Sequence, residues 1–324
     1  MTKSQNAGDV VPLVSIVIVN FNGRALLDDC LRSIRQHLSV SYEIIVCDNG
    51  STDGSVAFLR AAHPDVRVVE HERNAGFSGG NNRAAAVARG ELLLLLNTDA
   101  ILTGPLDSWI THLRTDPRGG VLGPRLLYQT GLLQESIGNP LTWWRLVTGW
   151  LPSRGRWTAG WRLTKPRSHP IYRASVANVP WVSGAMMLTP RALWTELGGL
   201  DEGFFMYLED AEYCLRVRRA GYHVRYSADA TVLHLEGGGR LWGGTAALEH
   251  TLRSTQYFVS VHYGRFVAGA LRMLLPVALL IRAVGYRTMA FRSGPDAQRH
   301  REQAQAYART ALRYASGRLA TIRG

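Results

Sequence analysis

The chain has 324 residues, of which 46% are hydrophobic and 19% are charged, enough to bury one large α/β core and a smaller appended region. Its three cysteines stand far apart with no CxxC pair, which excludes a zinc-finger pattern and fits a reducing, cytosolic compartment. The net charge of +12 predicts a polyanionic partner, namely nucleic acid, an anionic membrane surface or a phosphorylated substrate, and charge alone does not choose among them.

The N-terminal half alternates predicted strands and helices. Residues 1–11 are polar and lack the layout of a signal peptide, so we expect a short disordered lead and no export. Apolar, β-branched runs at 14–19 and 42–47 predict buried parallel strands, and leucines at helical spacing over 25–38 supply the crossover between them. The alternation continues through helices near 55–62 and 81–88 and strands at 66–70 and 92–96. We therefore predict an α/β fold with a doubly wound, mostly parallel sheet and helices on both faces.

Polar residues follow three of these strands, where open α/β sheets bind their ligands. Asn20 follows the first strand and Asp48 the second, and Asp48 also opens a turn whose Ser55 is predicted to cap the next helix. Turn statistics explain Asp48 as well as a functional role does, in which its carboxylate accepts the N–H of a uracil or thymine ring. Asp99 follows the third strand, either as a helix cap or as a ligand to Mg²⁺ or Mn²⁺.

The segment 73–82, RNAGFSGGNN, precedes a predicted helix and combines backbone donors with one cation. That combination suits a diphosphate or a ribose. Its glycines do not have GxGxxG spacing and do not follow the first strand, which disfavours a dinucleotide-binding site.

The second half has a different composition. Residues 141–175 contain five tryptophans and seven lysine or arginine residues but no acidic residue. Regular patterning resumes with a strand over 181–188, a helix from Arg191 that the glycines at 198–199 end, and a helix over 209–220.

The start of that last helix carries Glu209 and Asp210, where helix capping is the ordinary explanation. The aromatic and glycine residues at 203–207 favour a further role for Asp210, because a partly dry pocket wall suits the tuning of a base. His234 precedes a run of three glycines, and a single histidine is more often structural than a ligand, so its role stays open.

Five segments occur in an order that resembles inverting glycosyltransferase family 2, and most closely its bacterial rhamnosyltransferase-like members. They are VSIVIVNFNG, DNGSTDGS, RNAGFSGGNN, NTDA and VSGAMMLTPRALWTELGGLDEGFFMYLEDAEYCLRVRRAGY. The resemblance covers residues 12–240 and implies a GT-A catalytic domain with a nucleotide-binding half, 12–125, and an acceptor half, 126–240. Residues 241–324 are then predicted to be a basic, amphipathic helical region.

The resemblance also implies roles in binding the nucleotide. Asp48 contacts the nucleobase, Asn20 and Phe21 line the nucleotide site, and Arg73 with Asn74 lies along the nucleotide.

Further roles concern the metal and the reaction. Asp99 matches the last carboxylate of the family's DxD motif, with Asn97 in place of the first, and it is expected to hold Mg²⁺ or Mn²⁺ together with His234. Asp210 matches the catalytic base of an inverting displacement, which needs no second nucleophilic carboxylate. The predicted acceptor pocket contains Trp181, Gly184 and Glu209.

The resemblance implies transfer of a sugar, with L-rhamnose from dTDP-L-rhamnose favoured, to a polyprenyl-diphosphate-linked sugar in cell-envelope polysaccharide synthesis. A UDP-hexose donor stays open, because Asp48 alone does not separate uracil from thymine. A non-catalytic, basic membrane-binding module also explains the charge, whereas a nucleotidyltransferase would carry a glycine-rich, basic loop after the first strand. No nucleic-acid partner is expected, and a homo-oligomer is left open.

The stretch 264–292 contains no acidic residue and, with the tryptophan- and arginine-rich segment, is typical of interfacial amphipathic elements. A solvated basic face over an ordinary hydrophobic helix explains it equally well. Arg272, Pro276 and Arg282 interrupt the apolar run, so no transmembrane helix is predicted. We expect a cytoplasmic protein that is peripheral on the inner face of the plasma membrane, at an anionic lipid surface.

Overall fold

The computed structural model describes residues 11–151, 163–235, 243–292, 294 and 296–317. The predicted disordered lead, the middle of the tryptophan- and arginine-rich segment and the three glycines after His234 lie almost entirely outside the described residues.

Nine strands of the described residues form one mixed sheet. They are β1 Val14–Asn20, β2 Tyr42–Asp48, β3 Arg67–Glu70, β4 Leu92–Asn97, β5 Ala100–Leu102, β6 Gly119–Leu127, β7 Ala177–Asn178, β8 Met186–Pro190 and β9 His223–His234. Their order is β3-β2-β1-β4-β8-β6-β9-β5, with β7 paired to β9. The four N-terminal strands are parallel, as predicted, and β8 continues the sheet antiparallel to β4.

Helices cover both faces of this sheet. They are α1 Arg24–His37, α2 Ser55–Ala62, α3 Gly76–Ala85, α4 Asp107–Arg114, α5 Trp143–Thr148, α6 Arg191–Glu196, α7 Glu209–Arg219, α8 Gly243–Arg292 and α9 Ala297–Ala315, with a 3₁₀ turn at Pro170–Arg173. Successive strand side chains point to opposite faces, so a continuous apolar strand serves two cores. On β1, Ile16 and Ile18 pack with α1, while Val17 belongs to the core of the other face with α3 and α7.

The start of one predicted helix and the cap of another differ from the structure. Helix α3 begins at Gly76, five residues before the predicted start, because the Asn74 side chain accepts the Gly76 N–H at 2.9 Å. Helix α2 is not capped by its own serine. Instead, Asp53 Oδ1 accepts the Ser55 N–H at 3.1 Å, and Gly54 takes a left-handed conformation.

Helix α8 breaks at Gly264, where φ is 84° and ψ is 167°. The break folds the chain back, so that Gln256 Nε2 donates to the Ala268 carbonyl at 2.8 Å. Helix α9 packs along the same elements, and Tyr314 donates to Gln256 Oε1 at 2.6 Å. The sequence interpretation excluded a spanning helix, yet Ala246–Phe291 is long and apolar enough to cross a membrane by length and composition. That criterion alone does not separate a membrane-spanning helix from a core helix of a soluble protein.

Candidate active site

The ends of β1 and β2 form a hydrogen-bonded pair of polar side chains. Asn20 Nδ2 donates to Asp48 Oδ1 at 2.8 Å and to Ser51 Oγ at 3.0 Å. The Ser51 N–H donates to the other Asp48 oxygen at 2.9 Å. Because each carboxylate oxygen has two lone pairs, Asp48 keeps acceptor capacity beyond these contacts. Gly23 is required beside this pair, since a Cβ there would lie 2.7 Å from Asn20 Oδ1.

A second contact ties this strand edge to the glycine-rich segment. Asn49 Nδ2 donates to the Gly76 carbonyl at 2.8 Å and to Asn74 Oδ1 at 3.2 Å. The predicted nucleotide residue Asn74 therefore shapes the loop that begins α3. Arg73 is exposed, with its backbone against Gly50, and Phe21 is half-buried at the end of β1.

Asp99 and His234 come together although they are far apart in sequence. Strand β5 pairs with the end of β9, which aligns Ala100 with His234 and brings His234 Nε2 within 3.2 Å of Asp99 Oδ1. The other ring nitrogen, Nδ1, lies 3.0 Å from Gln134 Oε1, and Asn97 Nδ2 lies 3.3 Å from Nε2. Both Asp99 and His234 are largely buried.

This donor set fits a divalent cation. Gln134 Oε1 is an acceptor, so it favours a proton on Nδ1 and leaves the Nε2 lone pair facing Asp99, which is the second-shell arrangement of metal-binding histidines. Two acceptors at 3.2 Å repel each other unless a proton or a metal lies between them. Among the described residues no three His, Cys, Asp or Glu side chains converge, so Asp99 and His234 would supply two ligands and phosphate or water the others.

The Asp210 carboxylate is held rigidly at the start of α7. Its Oδ2 accepts the Gly184 N–H at 2.8 Å, and its Oδ1 accepts the Ala211 N–H at 2.7 Å. Burial raises the pKa of Asp210, and these two backbone hydrogen bonds oppose that rise. A raised pKa strengthens a carboxylate as a proton acceptor, which suits a general base.

Glu209 is buried beside it, with 5% of its surface exposed. Burial and the neighbouring charge of Asp210 raise the pKa of Glu209 well above its usual range. Its Oε2 has no hydrogen-bond partner within the described part of the chain. Glu209 is therefore the carboxyl of this pair that holds a proton more readily.

The loop before α7 joins Asp210 to the glycine-rich segment. The Phe77 N–H donates to the Phe205 carbonyl at 2.7 Å, and the Phe77 ring lies against Gly184, where a Cβ would be 3.3 Å from it. Tyr207 and Leu208 both adopt positive φ, 72° and 69°. Non-glycine residues rarely adopt this conformation, and the strain concentrates at functional sites.

The structure also identifies two side chains that hold the turn between α6 and α7 and that the sequence alone did not single out. Asn82 clamps the turn after α6, because its Oδ1 accepts the Leu200 N–H at 2.9 Å and its Nδ2 donates to the Leu200 carbonyl at 2.8 Å. Arg216 pairs with the buried Glu212 at 2.8 Å and donates to the Leu197 and Gly199 carbonyls. The only sequence signal for Asn82 was its place in the glycine-rich motif.

Trp181 lies apart from this arrangement, in the core behind α7. Its indole N–H donates to the Asn139 carbonyl at 2.9 Å, and its ring occupies the space where a Cβ on Gly138 would be. A cavity of about 110 Å³ beside it is lined by Ala211 and Tyr263 among others. A contact between Trp181 and an acceptor stays a prediction.

Two curated relatives of this chain are named as glycosyltransferases. Over 295 residues the chain is 28% identical to the N-acetylglucosaminyl-diphospho-decaprenol L-rhamnosyltransferase of Mycobacterium tuberculosis, which covers 85% of this chain and 92% of that protein. It is 25% identical over 226 residues to the low-salt glycan biosynthesis hexosyltransferase Agl10 of Haloferax volcanii, covering 68% of this chain and 66% of the relative.

Two solved structures share the fold. The mannosyltransferase PcManGT from Pyrobaculum calidifontis, in complex with GDP-Man and Mn²⁺, superposes with a TM-score of 0.56 at 17% identity over 96% of this chain and 88% of that chain. GalNAc-T7 with UDP, GalNAc and Mn²⁺ gives a TM-score of 0.54 at 17% identity over 78% of this chain and 51% of that chain. The fold is of the GT-A type.

The family model for glycosyl transferase family 2 matches residues 15–173. That range contains Asn20, Asp48 and Asp99, and the geometry above joins it to Asp210 through Phe77 and Gly184. Residues 15–173 of this chain are a glycosyl transferase family 2 domain.

Proposed function

We propose that this glycosyltransferase moves L-rhamnose from dTDP-L-rhamnose, with inversion, onto a polyprenyl-diphosphate-linked sugar in cell-envelope polysaccharide synthesis. The observation that carries the proposal is the fixed Asp210 carboxylate, bound by the Gly184 and Ala211 N–H groups next to the elements that hold Asp99. These elements are joined directly, since the Asn97 N–H donates to the Ala185 carbonyl at 2.9 Å.

In this mechanism Asp210 takes the proton of the acceptor hydroxyl as that oxygen attacks the anomeric carbon from the face opposite the nucleotide. The bond to the nucleoside diphosphate breaks in the same displacement, which inverts the configuration. A divalent cation, when bound by Asp99 and His234, would neutralise charge on the departing diphosphate. Asp48 orients the nucleobase through its remaining acceptor positions.

The proposed identities of the donor and the acceptor rest on similarity to a named relative. The mycobacterial relative is named for L-rhamnosyl transfer to a diphospho-decaprenol-linked N-acetylglucosamine, and this chain spans 92% of its length. Because the acceptor of that relative is lipid-borne, we place this chain at the inner face of the plasma membrane as a peripheral protein.

The test is a calorimetric titration of the protein with dTDP and UDP, each with and without Mn²⁺ or Mg²⁺, followed by transfer assays with the tighter donor. We expect metal-dependent binding, with dTDP bound more tightly. Tighter UDP binding would replace rhamnose by a UDP-hexose donor. Absence of nucleotide binding under every condition would contradict the proposal and favour a non-catalytic membrane-binding module.

The variant Asp210→Asn isolates the base. General-base catalysis contributes about 10²- to 10⁴-fold, so we expect turnover to fall by that factor while the dissociation constant of the nucleotide stays within about twofold. Asp99→Asn is the matched control, since it removes a carboxylate from the metal side and should weaken metal-dependent nucleotide binding. Normal turnover in Asp210→Asn would exclude Asp210 as the base.

A further inference from the structure

The part of α8 after Gly264 presents an apolar face to the outside of the molecule. Phe266 is 87% exposed, Val284 64% and Phe291 83%. Six exposed apolar residues on this helix recur at intervals of three, four or seven, so they fall on one side of it, and the exposed Leu274 and Ile281 lie at the edge of that side. We name this face the apolar stripe; it comprises Phe266, Met273, Val277, Leu280, Val284 and Phe291.

The opposite side of the same helix is fully packed. Leu271, Leu275 and Leu279 are buried in the core that α8 shares with the catalytic domain and α9. Helix α8 therefore already has a complete buried face, and the apolar stripe is a second, separate apolar face. An exposed apolar patch of this kind marks an interaction surface.

The charged residues around the apolar stripe indicate which kind of partner surface the stripe contacts. Residues 264–292 contain no acidic residue. Along the helix axis, the exposed Arg272 precedes the middle of the stripe and the exposed Arg287 follows it. Arginine beside exposed aliphatic side chains is the composition of helices that lie at anionic lipid surfaces. Trp143 and Trp144 of α5 are also exposed, and tryptophan is a residue type that prefers the headgroup region.

A groove between α8 and α9 adjoins the apolar stripe. It has a volume of about 450 Å³, and its walls include Leu280 and Val284 of the stripe together with Ala304. Arg287 and Arg301 are its two charged residues. Apolar walls with two cations match the chemistry of a phospholipid, whose hydrocarbon chain needs apolar contacts and whose phosphate needs positive charge.

The geometry excludes an ordinary crossing of the bilayer by this segment. The stretch between the exposed Arg272 and Arg287, which itself contains the buried Arg282, spans about 21 Å of helix, whereas a hydrocarbon core is about 30 Å thick. Helix α9, which is packed along α8, carries Arg299, Arg301 and Arg309 and cannot enter hydrocarbon without a large cost. A helix with one apolar side and one docked side fits a position parallel to the membrane plane.

We propose that the α8–α9 hairpin is a monotopic membrane-binding element whose apolar stripe enters the hydrocarbon of an anionic leaflet, with Arg272, Arg287 and Arg301 at the phosphate level. The membrane contact is inferred from the surface described above. The purpose of that contact is to bring the active site to a lipid-borne acceptor, and this purpose rests on the proposed function.

The experiment measures co-sedimentation of the full chain with phosphatidylcholine vesicles, with and without about 30 mol% phosphatidylglycerol, at low salt and in the absence of any sugar substrate. We expect binding that requires phosphatidylglycerol. Val277→Glu with Val284→Glu should weaken binding at least about tenfold, because it places two carboxylates in the part of the stripe that enters the hydrocarbon of the membrane. Arg272→Gln with Arg287→Gln should weaken it about 25-fold, at about fivefold for each arginine.

The matched control is Leu132→Glu with Val261→Glu, which changes two similarly exposed apolar residues outside the apolar stripe and should bind like the parent. Circular dichroism and thermal unfolding verify that each variant is folded. Equal vesicle binding by the Val277→Glu/Val284→Glu variant would overturn the proposal. A lipid-free dimer that this variant dissociates would assign the stripe to a second copy instead, and resistance of the membrane-bound protein to alkaline carbonate would indicate a spanning helix.

The two proposals fail separately. Vesicle binding without any nucleotide binding would remove the proposed transfer and leave the membrane contact intact. Nucleotide-dependent transfer to a soluble acceptor without vesicle binding would do the reverse.

Discussion

Glu209 and Asp210 are adjacent carboxylates with different surroundings. Asp210 accepts two backbone N–H groups, whereas Glu209 Oε2 accepts none from the described residues and is buried. Both pKa values are raised, and burial is the first cause in each case. The ionised form of Glu209 is therefore a cost to the folded state at neutral pH, and it also opposes ionisation of Asp210.

Removing that charge should stabilise the fold. The pKa of Glu209 is higher in the folded chain than in the unfolded one, so its ionisation destabilises the fold once the pH exceeds the unfolded value. At low pH both states hold the proton and the penalty disappears. We expect Glu209→Gln to raise the melting temperature by a few degrees at pH 8 and to leave it unchanged near pH 4.

Thermal unfolding of parent and variant across this pH range checks the sign. Asp53→Asn is the matched control, because the pKa of Asp53 is lowered by its hydrogen bonds and the loss of its charge should destabilise the fold at pH 8. A melting temperature of Glu209→Gln below that of the parent at pH 8 would show that the charge of Glu209 is compensated in the folded chain.

At the scale of elements, α3 lies unusually close to β1. A Cβ on Gly80 would lie 2.6 Å from Val19 Cγ1, 2.9 Å from Val19 Cγ2 and 3.1 Å from Asn49 Nδ2. The glycines of the motif 73–82 therefore serve helix–strand packing in addition to any role toward a phosphate. This close approach keeps Asn74 and Gly76 within reach of Asn49.

Gly80→Ala should destabilise the chain even though alanine favours helices by about 1 kcal/mol. Overpacking typically costs about 1–3 kcal/mol, so we expect a net loss in the free energy of unfolding and weaker nucleotide binding. Val19→Ala in the same chain should recover most of the loss, because it removes both clashing methyl groups. Denaturant unfolding measures these free energies.

Gly269→Ala is the control for helix propensity. A Cβ at this helical glycine meets no atom within 4 Å, so the substitution should be neutral or stabilise by up to about 1 kcal/mol. If Gly80→Ala behaved in the same way as Gly269→Ala, the close packing of α3 on β1 would not be a constraint.

At the scale of the whole molecule, the C-terminal helices attach directly to the site. Ser254 donates to the Met206 carbonyl at 2.7 Å, and Tyr257 donates to both Asp201 oxygens at 3.1 Å. His250 stacks on Phe205 with ring centroids 4.9 Å apart. The loop that leads to Asp210 is thus supported from behind by the first part of α8, and the second part carries the apolar stripe.

Arg282 joins three parts of the molecule. Fully buried, it donates to the Trp150 carbonyl at 2.6 Å and lies 5.9 Å over the Tyr307 ring of α9. Burial lowers the pKa of its guanidinium. We expect Arg282→Met to reduce the free energy of unfolding by about 1–3 kcal/mol, because buried carbonyls lose their donor, and to speed amide exchange in α5.

Urea unfolding and hydrogen exchange of the lipid-free protein measure both effects. Arg272→Met is the matched control, since Arg272 is exposed on the same helix and its loss should change stability by less than about 0.5 kcal/mol. Equal stability of Arg282→Met and the parent would show that apolar packing replaces this connection, as it does for some buried ion pairs.

The sequence by itself determined the alternation of strands and helices in the N-terminal half and the polar residues at the strand ends. Periodicity and turn composition are local properties, so 14–19, 42–47 and 92–96 were predicted within a residue of β1, β2 and β4. Asp48 and Asp99 followed from these strands, and the roles of Asp210 and His234 came from the resemblance of ordered motifs.

Only the tertiary structure decided which distant residues meet. Asn97 and His234 are separated by 137 positions and Asn82 and Leu200 by 118, and their contacts depend on the pairing of β5 with β9 and on the packing of α3. The early start of α3 was missed because glycine propensity predicts a loop, whereas close packing makes those glycines necessary. The apolar stripe likewise required the structure, because the side of α8 that is buried is set by the break at Gly264 and by the helices that pack against it.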